Sequence, residues 1–166
     1  MRVAIVMGST SDLPKVEPAV NILKEYGVAV DVRCLSAHRA HAGLSAFIEE
    51  TNNNGTEVII AAAGMAAALP GVIAAMTPLP VIGLPINSTL DGVDALLSIV
   101  QMPPGISVAT VGINNGMNAA VMAVQILALS DEALAKRFAE YRATLSEKIV
   151  KANEDLKNVK YNFKVD

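Results

Sequence analysis

The sequence predicts an α/β fold: a three-layer, doubly wound sheet of five parallel strands, followed by a long C-terminal helix. Three observations carry this. Short, β-branched apolar runs alternate with segments of helical periodicity along most of the chain. The run Val58 to Ala63 is apolar at every position, as a central strand covered on both faces requires. Clusters of Gly, Ser, Asn and Pro punctuate the junctions. A β-α-β-α alternation of this kind resolves into a parallel sheet with helices on both faces.

The elements follow in order. Arg2 to Met7 reads as a buried strand, and Gly8-Ser9-Thr10-Ser11-Asp12 as a loop. A helix follows, with Ser11 or Asp12 as N-cap, Pro14 in its first turn, Val16, Val20, Ile22 and Leu23 on its apolar face, and Gly27 at its end. Val28 to Leu35 is the second strand. His41 to Asn53 is helical, with Leu44, Phe47 and Ile48 at helical spacing, and Asn52-Asn53-Asn54-Gly55 stops it. Val58 to Ala63 is the third strand, and Ala66 to Ala75 a helix disturbed near Pro70. Pro80 to Leu84, Gly92 to Val100 and Ile106 to Val111 read as strand, helix and strand. Asn118 to Leu129 is a helix apolar nearly all round, so it is expected to be buried on all sides. Asp131 opens the last helix, whose stripe is Leu134, Phe138, Tyr141, Leu145 and Ile149, and a polar tail is expected from about Asn153.

With 166 residues, the chain is expected to form one domain, 1–166. Apolar residues make up 52% of it and charged residues 17%. A small monomer has too much surface to hide that composition, so a homo-oligomer is expected. The formal charge of −3 and six scattered aromatics give no nucleic-acid footprint. Cys34 is the single cysteine, which excludes an internal disulfide framework and points to a reducing, cytoplasmic setting. No charge lies between Glu57 and Asp91, yet Gly64, Pro70, Gly71, Pro78, Pro80, Gly83 and Pro85 break that stretch into α/β units, so no membrane span is expected.

In doubly wound folds ligands sit at the carboxyl ends of the strands, which selects the loops that matter. Gly8 to Asp12 leads into a helix N-terminus, where free N–H groups and the positive dipole end favour an anion. Ser9, Thr10 and Ser11 add donors, while Asp12 suits ribose hydroxyls better than a phosphate. The same residues also serve as an ordinary turn and cap. Ser36-Ala37-His38-Arg39 follows the second strand. His38 offers proton donation and acceptance near neutrality, and Arg39 a planar fork for phosphate. A helix-capping histidine is the plainer alternative. His41 reads as a solvent-facing residue of the next helix. Two histidines and one cysteine make no metal-ligand cluster, so no metal is expected. Ala63 to Gly71 carries no charged or hydroxyl side chain. It offers backbone N–H groups and a dry wall to a flat ring or to CO2, or else tight helix–sheet packing. Asn87 to Asp94 and Ser98 to Gly105 either complete the pocket or pack subunits.

Taken together, Met7-Gly-Ser-Thr-Ser-Asp12, Ser36-Ala-His-Arg39, Ala67-Ala-Leu-Pro-Gly71, Gly92-Val-Asp-Ala-Leu-Leu-Ser-Ile-Val-Gln-Met-Pro103, Asn118-Ala-Ala and Ala123-Val-Gln-Ile-Leu127 resemble the PurE family of purine biosynthesis. The resemblance spans most of the chain and lies closest to the class I branch. It implies a flavodoxin-like fold, an octamer, no cofactor, and interconversion of N5-carboxyaminoimidazole ribonucleotide and 4-carboxy-5-aminoimidazole ribonucleotide. It implies that Ser9, Asp12 and Arg39 hold the phosphoribosyl part, with Gly8, Ser11 and Ser36 beside them. His38 would be the general acid/base, and Gly64, Met65, Ala66 and Leu69 would line the carboxylate and CO2 pocket. Two positions depart from the pattern: Ala68 stands where class I members carry histidine, and Ala40-His41 where they carry Thr-Pro. The near alternative is direct carboxylation of aminoimidazole ribonucleotide by CO2. The distant one is a non-catalytic flavodoxin-like nucleotide-binding module, disfavoured for a flavin because Trp is absent.

Overall fold

The central strands form where the chain is apolar on both faces. β1 (Arg2–Met7), β3 (Val58–Gly64) and β4 (Val81–Ile86) are buried almost throughout in the computed structural model, which describes residues 1–160. β2 (Ala29–Cys34) and β5 (Ala109–Thr110) flank them, and the sheet runs β2-β1-β3-β4-β5 with every neighbouring pair parallel. The order reverses after β1. The crevice that this reversal opens lies at the carboxyl ends of β1 and β3, as the doubly wound rule requires.

The helices are α1 (Leu13–Glu25), α2 (His41–Thr51), α3 (Ala68–Ala74), α4 (Val93–Val100), α5 (Gly116–Leu127) and α6 (Glu132–Leu156). Leu44, Phe47 and Ile48 of α2 and Leu69 and Ile73 of α3 share one buried cluster with Ala4, Val6, Ile59 and Ala61 of the sheet. Gly116 begins α5 where it meets α1: a Cβ there would lie 2.2 Å from the Lys15 carbonyl oxygen, so no larger residue fits without parting the helices.

Several boundaries depart from the sequence reading. Asp12 stands at the N-cap position of α1, as expected, but its side chain makes no capping bond to the helix. A 3-10 turn over Thr10–Asp12 extends the helix backwards, and Ser9 caps that turn by accepting from the Ser11 amide at 3.3 Å. α3 starts at Ala68 rather than Ala66, because Met65 and Ala67 are left-handed at φ +56° and +35°. Pro70 therefore falls in the first turn, where its missing N–H costs nothing, and the helix is undisturbed. β5 pairs only Ala109 and Thr110 with β4; as an edge strand it is much shorter than the expected 106–111. α5 starts two residues early because Asn115 caps it, its Oδ1 accepting from the Asn118 amide at 3.0 Å. α5 is not buried all round in this chain. Ala119, Ala120, Ala123, Val124 and Leu127 are covered, but Met117 is 46% exposed.

The chain divides into two compact units, the first ending at Leu127 and the second beginning at Ala128. The second is built on α6. Asp131 caps it, its Oδ1 accepting from the Leu134 amide at 2.8 Å. α6 runs past Asn153 to Leu156, so the start of the expected polar tail is helical. Lys151, Ala152, Glu154 and Leu156 are good helix formers. Residues 161–166 of that tail lie outside the described residues. Among the described residues no helix is long and apolar enough to cross a membrane.

Candidate active site

Three loops meet over the crevice. The first leaves β1 through Gly8, whose amide still donates to the Ala62 carbonyl of β3 at 3.2 Å. Ser9 then turns the chain into the 3-10 turn, and the Ser11 hydroxyl sits 2.8 Å from Ser9 Oγ and 3.4 Å from Asp12 Oδ1. Because Ser9 does the capping, the Asp12 carboxylate is not spent on the helix. It is buried at the floor of the cleft. Burial raises its pKa above the ordinary carboxylate value, and hydrogen bonds from the Ser9 backbone and the Ser11 side chain pull the other way.

The second loop leaves β2. The Leu35 amide donates to the Met7 carbonyl at 2.9 Å, and Ala40 closes a turn onto the Ser36 carbonyl at 2.9 Å. That turn projects His38 and Arg39, both exposed. Arg39 ties the two loops together. Its Nη2 donates to the Gly8 carbonyl at 3.1 Å, and its Nε and backbone amide donate to Ser36 Oγ at 3.4 and 3.3 Å. Among the described residues two of the five guanidinium N–H donors are used this way, so the fork retains donors for an anion.

The third loop leaves β3. Gly64 ends the strand, the Ala67 amide donates to the Gly64 carbonyl at 3.1 Å, and the two left-handed residues fold the segment back into α3. Left-handed non-glycine residues are costly and recur at functional sites.

These loops enclose a cleft of about 600 Å³. Gly8, Ser9, Ser11, Asp12, Ser36, His38, Arg39, Gly64, Met65, Ala66 and Leu69, all expected at the site, line it, whereas Thr10, expected to add a donor, does not. Ala68 also faces it, whereas His41 does not. Ser88, from the loop after β4, completes the wall. In the sequence Ser88 falls only within the broad range 87–94, because a lone serine in a turn carries no signal of its own. The other range, 98–105, contributes nothing to the cleft among the described residues. One flank is thus hydroxyl-rich and cationic, the opposite flank is backbone and methyl, and an imidazole stands at the rim.

The sequence profile of the family described as AIR carboxylase matches residues 2–148. The N5-carboxyaminoimidazole ribonucleotide mutase of Methanocaldococcus jannaschii is 52% identical over 158 residues, which are 95% of this chain and 98% of that protein. The phosphoribosylaminoimidazole carboxylase of Saccharomyces cerevisiae is 47% identical over 160 residues, 96% of this chain but 28% of that protein. In fold, the crystal structure of Treponema denticola PurE superposes with a TM-score of 0.87 at 30% identity, covering 95% of this chain and 99% of that one.

Proposed function

Since this chain belongs to the AIR carboxylase family, we propose that it is an N5-carboxyaminoimidazole ribonucleotide mutase of purine biosynthesis, with His38 as its general acid/base. The observation that carries the reading is the 52% identity to a mutase matched over 98% of its own length. The cleft supports it chemically. A ribonucleotide needs an anion site, and the Ser9 to Asp12 turn with the Arg39 fork supplies one. Labile CO2 needs a dry wall, and Gly64 to Leu69 supplies backbone groups and methyls.

The proton inventory closes on one residue. Protonated His38 gives its proton to the exocyclic nitrogen as the N–C bond of the carbamate breaks. This yields CO2 and aminoimidazole ribonucleotide. Ring carbon C4, electron-rich in that product, attacks the trapped CO2. His38, now neutral, removes the C4 proton and is restored, so no net proton is consumed. Holding CO2 against C4 makes recapture faster than escape. Ala68 offers no second proton carrier, so His38 acts in both half-reactions.

The same reading carries a cytoplasmic setting and a homo-octamer, which accounts for apolar side chains exposed in the single chain, such as Leu97 and Met117. The test supplies aminoimidazole ribonucleotide with bicarbonate in one reaction and the N5-carboxylated isomer alone in another. Rapid conversion of the N5 isomer with poor use of bicarbonate is expected. Efficient use of CO2 with no conversion of the N5 isomer would move the chain to the carboxylase reaction.

A further inference from the structure

We propose that Asn114 is a positioning residue for this reaction: it clamps the segment that carries Ser88 and so fixes the far wall of the cleft. The proposal rests on the mutase reading above. Asn114 lies beyond β5, outside the cleft lining, in the left-handed region at φ +58°. Its amide donates to the Pro85 carbonyl at 2.8 Å, and its Oδ1 accepts from the Asn87 amide at 2.9 Å. One residue therefore holds both sides of the point where β4 leaves the sheet. Ser88, next in the chain, faces Gly64 so closely that a Cβ on Gly64 would lie 3.0 Å from its Cβ. Any shift of the Asn87 backbone is passed directly to the wall that abuts Gly64 of the proposed CO2 pocket.

Beyond Ser88 the loop is firmly set. Leu90, Asp91 and Gly92 are successively left-handed, at φ +44°, +54° and +82°. Gly92 packs so that a Cβ would meet Ile113 Cγ2 at 2.7 Å and Asn87 Cα at 3.1 Å. The Thr89 hydroxyl bonds the Asp94 carboxylate. Asn114 is the clamp on the other end of this loop. Asn87 is exposed, so water satisfies its N–H when the side-chain acceptor is removed. What is lost is a fixed position rather than folding energy.

Asn114→Gly isolates this effect. Glycine adopts the left-handed backbone freely and keeps the amide bond to Pro85, so among the described residues the hydrogen bond that disappears is the one to Oδ1. Asn114→Asp retains the acceptor and is the rescue variant. The assay starts from the N5-carboxylated ribonucleotide and measures free aminoimidazole ribonucleotide released per C4-carboxylated product. Asn114→Gly is expected to raise that ratio about tenfold, short of the ~100-fold that a 1 Å misplacement can cost. Asn114→Asp is expected to restore it. A merely less stable enzyme loses total turnover and leaves the ratio unchanged, and an unchanged ratio overturns the proposal. Amide exchange at Asn87 to Thr89 gives a readout independent of the chemistry: faster in Asn114→Gly, restored in Asn114→Asp. Were the unaltered enzyme not to convert the N5 isomer, the mutase reading would fall, while the exchange rates would still decide the clamp. Ser88→Gly, an exposed change that leaves the clamp intact, should raise the ratio likewise if Asn114→Gly proves unable to fold; no rise would overturn the proposal.

Discussion

Gly64→Ala tests the geometry of the cleft most sharply. A Cβ at Gly64 would lie 3.0 Å from Ser88 Cβ, 3.1 Å from the Ile86 carbonyl oxygen and 3.6 Å from Ile86 Cβ. Carbon atoms sit comfortably at about 3.5–4.0 Å, so Ser88 must retreat by roughly 0.5–1 Å. Ile86 has less freedom, because it pairs with Gly64 across the β3–β4 ladder. Overpacking of this kind costs about 1–3 kcal/mol. The loss of glycine's freedom in the unfolded chain offsets about 0.4–1 kcal/mol of it. A net loss of about 1–2 kcal/mol lowers Tm by roughly 2–8 °C in a chain of this size. Turnover should fall further than the folded fraction explains, because the displaced Ser88 wall no longer closes on the substrate. Gly8→Ala is the companion: none of the described residues lies within 4 Å of its Cβ, so Tm should hold while the new methyl enters the cleft and weakens ribonucleotide binding. Thermal melts and N5-isomer kinetics on both variants decide the matter. A Gly64→Ala enzyme with unchanged Tm and unchanged turnover would refute the close approach of β3 to the Ser88 loop.

His38→Asn should lower kcat by about 10²–10⁴-fold, the range of a positioned acid/base, with product affinity by calorimetry nearly unchanged. Near-normal kcat would remove His38 from the chemistry. Arg39→Met should weaken ribonucleotide binding by about 10- to 100-fold, as expected for losing a charged hydrogen bond of ~1.5–3 kcal/mol, while kcat suffers less. Asp12→Asn should make the protein more stable at neutral pH and bind ribonucleotide more weakly. The sign follows from burial: the folded-state pKa is raised, so Asp12 ionises at a cost that is present above that pKa and relieved as pH falls through it. Melting curves of the two proteins should therefore differ at pH 7 and converge as the solution becomes acidic. A gap that widens on acidification would overturn the burial argument.

The sheet was legible because its central strands leave no ambiguity. Val58 to Ala63 and Val3 to Met7 are apolar throughout, and only a strand covered on both faces fits runs so short. The end of α3 was readable and its beginning was not. The delay to Ala68 comes from left-handed Met65 and Ala67, a conformation that neither residue prefers and that the surrounding loop imposes. α5 misled for another reason: composition reports what can be buried, not what a single chain buries. Around the cleft, the turns after β1 and β2 were legible because chemistry-bearing residues cluster there and the winding rule says where they point. The Arg39 to Gly8 bond joins residues thirty-one apart, and the Asn114 to Asn87 bond joins residues twenty-seven apart. Nothing local in either segment announces its partner.

Seven of the sixteen residues lining the cleft are already glycine or alanine: Gly8, Ala37, Ala63, Gly64, Ala66, Ala67 and Ala68. Alanine scanning is therefore nearly blind across much of this surface, since at five of these positions its probe is the natural residue. Side-chain deletion cannot reveal what those positions do, because there is little to delete. Their importance becomes visible only under enlargement, as serine, valine or leucine fills the volume that a ribonucleotide needs. A saturation library over this wall should give a lopsided tolerance map, permissive among the smallest residues at the five alanine positions, strict already at Gly64, and closing steeply with each added carbon.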